Sequence, residues 1–79
     1  TAAEMRILEQ FLRHPDEVMS RSLLTELTLN RPLEAFDRSI DTLISKLRKK
    51  LASAGINKGC IKALRGHGYV LDKESLEIN

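Results

Sequence analysis

The sequence predicts a small, mainly α-helical domain closed by a β-hairpin, and three observations carry that prediction. Apolar residues recur at helical spacing from Met5 to Leu51. The period shortens after Gly55. Gly66 and Gly68 then flank a single histidine between two short apolar runs. A chain of 79 residues with 42% hydrophobic and 30% charged residues has room for one domain and one modest core. No apolar run approaches the roughly 20 residues of a membrane span. One cysteine, Cys60, excludes an intramolecular disulfide and fits a reducing, cytoplasmic setting. The sequence shows no signal-peptide pattern and no initiator Met, so it is expected to be a piece of something longer.

The organising stretch is Phe36 to Gly55, read as one helix. Ile40, Leu43, Ile44, Leu47 and Leu51 share one stripe, with Phe36 beside them. The opposite side carries Arg38, Thr42, Ser45, Lys46 and Lys49, with Arg48 and Lys50 on its flanks. Gly55 stands where a left-handed cap would stop the helix.

The elements before it follow the same logic. Thr1 to Arg13 reads as a first helix, opened by a capping box of Thr1 and Glu4. Met5, Leu8 and Leu12 form one apolar stripe, whereas Ile7 and Phe11 point elsewhere and are expected to be uncovered unless a second chain or a missing segment packs there. His14-Pro15 ends the helix, because the residue before proline leaves the α region. Val18-Met19 is a short extended piece, a candidate rung of a small sheet. Ser20 caps a second helix from Arg21 to about Thr28, with Leu23, Leu24 and Leu27 as its buried side. Leu29 to Ala35 is the connection to the long helix. Cys60 to Arg65 and Tyr69 to Leu71 are the strands of the hairpin, reversed at Gly66-His67-Gly68. Tyr69 is expected to pack its ring under the hairpin, and Cys60 to be a half-buried small apolar group. Residues 1–71 thus form the domain, and 72–79 a polar tail expected to fray.

The net charge of +2 conceals a strong asymmetry. Between Arg38 and His67 stand eight Lys and Arg and one acid, Asp41, a net +7, while the rest of the chain carries −5. A molecule so polarised presents one face suited to a polyanion. The major groove of B-DNA admits a helix, and phosphates line its rims.

Helix, short strand, helix, long basic helix and basic glycine hairpin is the winged helix-turn-helix order. The residues themselves carry a closer resemblance. Asp37-Arg38-Ser39-Ile40-Asp41, Ile44-Ser45-Lys46-Leu47-Arg48-Lys49-Lys50-Leu51 and Ile61-Lys62-Ala63-Leu64-Arg65-Gly66-His67-Gly68-Tyr69 resemble the pattern of the OmpR/PhoB-type DNA-binding effector domain of bacterial two-component response regulators. The link with Arg31-Pro32-Leu33 and Phe36-Asp37-Arg38 resembles the CpxR-like branch. The likeness covers Thr1 to Leu71. It implies that the long helix enters the major groove and the wing reaches the adjacent minor groove. It also implies control by phosphorylation of a separate receiver domain, head-to-tail binding to direct repeats, and a link that touches RNA polymerase. The family's four-stranded sheet ahead of the first helix has no counterpart in this sequence, which would account for an uncovered Ile7/Phe11 side. Ala63 stands where the family often carries Thr, and Lys46 where Arg is commoner. A lysine is a point charge, whereas arginine offers guanine a bidentate fork.

With that resemblance, Thr42, Ser45 and Lys46 are the candidates for base contact, and Arg38, Ser39, Arg48 and Lys49 for phosphate. Arg48 has an alternative partner in Asp41. Arg65 and His67 are the candidates at the minor groove. Asn30, Arg31, Leu33 and Glu34 are those of the polymerase-contact loop. For each exposed helix residue the plain alternative is a solvated surface. Two isolated histidines and one cysteine offer no metal-ligand spacing, and no phosphate loop, nucleophile elbow or pocketed carboxylate pair is present. Neither an enzyme, a cofactor, a small-molecule substrate nor a membrane partner is expected. Two functions stand: sequence-specific binding of double-stranded DNA in transcriptional regulation, or a winged-helix module that only dimerises or binds protein, for instance through the Ile7/Phe11 side.

Overall fold

The computed structural model describes residues 2–76. Three helices come first: α1 (Ala2–Arg13), α2 (Arg21–Leu29) and α3 (Ser39–Ser53). A 3-10 turn at Lys58–Cys60 leads into an antiparallel hairpin of β1 (Ile61–Leu64) and β2 (Gly68–Leu71), and a second 3-10 turn spans Lys73–Leu76. No helix among the described residues is long and apolar enough to cross a membrane.

The core gathers one face of each element. α3 contributes Ile40, Ile44, Leu47 and Leu51, α1 contributes Ile7 and Phe11, and α2 contributes Leu24, with Met19, Cys60, Ile61, Tyr69 and Leu71 closing the hairpin side. Leu43 packs half-buried at its margin. Cys60 is wholly buried, beyond the half-burial expected, and burial pushes its thiol pKa up.

α1 therefore corrects the expected orientation. Ile7 and Phe11 are its buried face, while Met5 (64% exposed) and Leu12 (55%) look outward. Both stripes have helical spacing, so periodicity alone could not choose between them. The choice is made by α2 and α3, against which α1 packs. Within α1 Ile7 and Phe11 fill that space with Leu8 half-buried beside them, and Glu4 on the same face meets Lys50. A dimer through the Ile7/Phe11 side is thereby ruled out. Thr1, half of the expected capping box, lies outside the described residues.

α2 begins as expected, with the Ser20 hydroxyl accepting from the Leu23 amide at 3.0 Å. Its inward face is corrected: Leu24, Thr25 and Thr28 are buried, and Leu23 and Leu27 are exposed. The Thr25 hydroxyl donates to the Arg21 carbonyl at 2.7 Å. The Thr28 hydroxyl is buried with no hydrogen-bond partner among the described residues. Asn30 ends α2 in the left-handed conformation, φ 56°, its amide donating to Glu26.

α3 starts three residues later than its apolar pattern suggested. Phe36 has φ 60° and is fully exposed, so it neither belongs to the helix nor joins the core. A knot of polar bonds sets the start instead. The Asp37 carboxylate accepts from the Ser39 amide and from Arg31, and Arg31 also donates to the Ser39 hydroxyl at 3.0 Å. The far end stops as expected: Gly55 has φ 82°, its amide donates to Ala52, and the Ile56 amide donates to Leu51. Those two bonds are the Schellman pattern.

The hairpin pairs Ile61 with Leu71 and Leu64 with Gly68, and the His67 amide donates to the Leu64 carbonyl across the turn. Met19 supplies the expected third rung: its amide and carbonyl exchange bonds with Tyr69 at 2.8 and 2.9 Å. Gly68, φ 136°, lies so close to that rung that an added Cβ would stand 2.1 Å from the Met19 carbonyl oxygen. The tail is more ordered than expected as far as it is described. Asp72 accepts from the Glu74 amide and the Ser75 hydroxyl, and the Lys73 amide donates to Asp16.

Replacement of Gly68 by Ala should cost at least about 2 kcal/mol, since strain is joined by a backbone clash. Gly55→Ala, with nothing near its Cβ, should cost only the left-handed penalty of about 1–2 kcal/mol. Denaturant titration of both variants checks the order. Thr28→Val should stabilise by about 1 kcal/mol in the same assay, because it removes a buried hydroxyl that has no partner.

Acid should unfold the domain by releasing its ion pairs. Lys50 beside Glu4, Arg31 beside Asp37 and Lys62 beside Asp72 hold these carboxyls below their ordinary pKa. A lowered folded pKa adds stability that is complete above the unfolded value near 4 and is lost as pH falls through the folded value. Thermal unfolding followed from about pH 6 to 2 should show Tm falling below about pH 4. Asp37→Asn should lower Tm at the neutral end and flatten the acid limb.

Candidate nucleic-acid interface

The core stripe of α3 dictates what the helix shows to water. With Ile40, Ile44, Leu47 and Leu51 inward, Arg38, Thr42, Ser45, Lys46 and Lys49 fall on the outward side, and all five are exposed. Offsets of 4, 7, 8 and 11 from Arg38 place them in one row. The three candidates for bases and two of those for phosphate thus stand together.

Three other cations on and near this helix are drawn to internal partners. Lys50 pairs with the buried Glu4, and Lys62 with Asp72 at 2.9 Å. Arg48, expected at phosphate, turns instead to the hairpin. Its Nε and a terminal nitrogen both donate to the Ile61 carbonyl, at 3.1 and 2.6 Å, and its guanidinium lies 5.8 Å from the centre of the Tyr69 ring. Nor does it pair with Asp41, the other reading. Ser39, also expected at phosphate, has its hydroxyl held by Arg31. Lys46, Lys49 and Arg65 have no acid within ion-pair distance among the described residues.

The one acid of α3 is tied back. Asp41, 16% exposed, accepts two bonds from Arg21 at the start of α2 and one from the Tyr69 hydroxyl. Arg38 stands 4.0 Å from the same carboxylate while remaining largely exposed. Burial alone would raise the Asp41 pKa, but the Tyr69 hydroxyl and the Arg21 guanidinium outweigh it and hold the carboxylate ionised below its usual range. Burial, and the carboxylate beside it, raise the Tyr69 phenol, so it keeps the proton that it donates. The outward row is left almost purely cationic.

Arg65, Gly66 and His67 form the exposed tip of the wing, with Leu64 partly exposed beside them. A cleft of about 580 Å³ separates the hairpin from the start of α2, lined by Ser20, Arg21, Ser22, Leu33 and residues 63–69. In the link between α2 and α3, Asn30 caps a helix, Arg31 ties the knot, Leu33 borders the cleft, and Glu34 is exposed. Among the described residues no three His, Cys, Asp or Glu side chains come together as metal ligands.

Sequence reasoning missed Arg21 and the hydroxyl of Tyr69. One signal was available. A cation in the first turn of a helix opposes the macrodipole, so Arg21 needs an acid within reach. That acid lies 20 residues further on, and only the fold brings it there.

Comparison with known proteins agrees with this geometry. A family model described as "Transcriptional regulatory protein, C terminal" matches residues 1–71. Regulatory protein VirG of Rhizobium rhizogenes is 42% identical over 74 residues, which are 94% of this chain and 31% of that protein. Transcriptional regulatory protein CpxR of Escherichia coli is 38% identical over 71 residues, 90% of this chain and again 31% of that protein. The chain thus spans about a third of the length of these relatives. Among solved structures, the DNA-binding domain of E. coli CpxR superposes with a TM-score of 0.81 at 36% identity, covering 91% of this chain and 71% of that one. The Klebsiella pneumoniae RstA DNA-binding domain in complex with the RstA box gives 0.80 at 30% identity, with the same coverage of 91% and 71%. On its three helices, its hairpin and its matched residues, this chain belongs to the family of transcriptional regulatory protein C-terminal domains, the OmpR/PhoB-type winged-helix effector domains.

Proposed function

We propose that this chain reads double-stranded DNA in a sequence-specific way, as the effector part of a two-component transcriptional regulator in the bacterial cytoplasm. The observation that carries the reading is the outward row of α3, a cationic ridge on a helix whose one acid is tied back into the fold. α3 lies in the major groove. There Lys46 donates to guanine O6 or N7, and Thr42 and Ser45 donate to base edges or meet a thymine methyl. Arg38 and Lys49 flank them at the phosphates. Arg65 reaches the minor groove, where a narrow A·T stretch favours a guanidinium, and His67 meets the backbone beside it. Arg48 and Ser39 act one step back, by holding the hairpin and the start of the helix. The RstA relative in complex with its box supports the reading that a domain of this fold binds duplex DNA. So does the match to the DNA-binding domain of response regulator AdeR in complex with an intercistronic region, with a TM-score of 0.80 at 36% identity.

Two further parts of the reading concern the longer protein. Phosphorylation of a receiver domain would bring two copies head to tail onto direct repeats about one helical turn apart. The exposed part of the link, with Leu33 and Glu34, would face RNA polymerase.

Selection of bound sites from a random duplex pool tests the reading directly, and should return direct repeats. With about four phosphates neutralised per protomer, log K should fall against log salt with a slope of about −3.6. Lys46→Ala should narrow discrimination among sites by about 1–3 kcal/mol, whereas Lys49→Ala should weaken all duplexes alike and reduce the slope by about 1. Fluorescence anisotropy on the selected duplex and its single-base variants checks both. Unchanged discrimination in Lys46→Ala would remove that residue from the base-reading set.

A further inference from the structure

The Asp41 carboxylate sits where three parts of the molecule meet. It belongs to α3, immediately before Thr42. Its partners are Arg21, the first residue of α2, and Tyr69 of β2, two residues past His67 at the wing tip. One oxygen accepts from the Tyr69 hydroxyl and from Arg21 Nε; the other accepts from the second arm of the guanidinium. Seven residues along the same helix, Arg48 grips the hairpin again at the Ile61 carbonyl and lies over the Tyr69 ring. The root of the wing is therefore fastened to α3 at two points about two turns apart.

Two fastenings do what apolar packing cannot. Burial is non-directional, so Ile61, Leu71 and the Tyr69 ring hold the hairpin close without fixing its angle, and the Met19 rung directs β2 against the segment before α2, not against α3. Hydrogen bonds to a carboxylate and a carbonyl fix direction as well as distance. A two-stranded hairpin is marginal by itself, and beyond Tyr69 the cleft separates it from α2. The aim of Arg65 is thus set at the root.

We infer that Asp41, held by Tyr69 and Arg21, is a positioning residue that fixes the spacing between reading helix and wing, so that major- and minor-groove contacts are made in one register along the duplex. This deepens the proposed DNA reading and rests on it. The carboxylate touches no base. It acts by allowing only one offset between Lys46 and Arg65.

The test uses the 79-residue chain, the duplex it selects from a random pool, and versions of that duplex with one base pair inserted or deleted between the major-groove core and the flanking minor-groove segment. The parent should prefer the selected spacing by about tenfold, the scale of one displaced contact. Tyr69→Phe keeps the ring under Arg48 and deletes only the hydroxyl. It should lose most of the spacing preference while keeping its preference for the core sequence. Arg21→Gln, at a side chain nearly half exposed, should do the same and serves if Tyr69→Phe fails to fold. A purely structural role would lower affinity for every spacing by one factor and leave the preference intact; that result overturns the inference. So does a parent that binds its selected duplex with no spacing preference, which leaves DNA reading in place. A parent that selects no duplex overturns both.

Discussion

The structure depends on how one carboxylate is satisfied. Asp41 lies on the side of α3 that faces α2 and the hairpin, where water is scarce and an ionised acid is costly. Two partners from distant parts of the sequence offset that cost, a guanidinium from the start of α2 and a phenol from β2. A single partner would leave lone pairs of a half-buried charge without a donor. Removing one should therefore cost more than the contact itself, because the other groups stay in place with their needs unmet.

The same arrangement solves an electrostatic problem at the surface. A helix intended for a polyanion should not display an acid, yet Asp41 stands beside the outward row. Pairing it with Arg21 cancels its field close to where phosphates would lie, and the cation so used is supplied by α2, not by the reading helix. The other internal pairs follow one pattern. Arg48, Lys50 and Lys62 have partners within the fold, while Lys46, Lys49 and Arg65 are left to the solvent and Arg38 stays largely exposed at the edge of the Asp41 cluster. Cations near the helix margins hold the domain together, and those on its crest remain available.

A domain this small has to use α3 twice, as its main core element and as its exposed ridge. The apolar stripe and the Schellman end at Gly55 set its rotation and length. The Arg31–Asp37–Ser39 knot sets where it begins. That knot also explains how Phe36 comes to be wholly exposed at positive φ. The polar bonds on either side hold the link in a shape that apolar burial alone would not select, and the strain of a left-handed aromatic is offset by its neighbours.

Local signals were sufficient for much of this. Ser20 and Gly55 mark helix ends because caps are short-range chemistry, and the paired glycines mark the hairpin because its turn needs positive φ. The inward stripe of α3 was equally legible, since a long helix repeats its pattern often enough to leave one solution, and with the stripe came the outward row. Where two solutions shared the same period, the sequence could not choose. Ile7/Phe11 against Met5/Leu12 in α1, and Leu23/Leu27 against Thr25/Thr28 in α2, were decided by the shape of the neighbouring elements. The partners of Arg21, Arg48 and Asp41 were decided the same way, because hydrogen bonds between residues 13 to 28 positions apart leave no trace in spacing. Composition and periodicity determined which elements form and which face of α3 is cationic; the tertiary structure alone decided which of those charges are free, since that depends on what lies within hydrogen-bond reach across the fold.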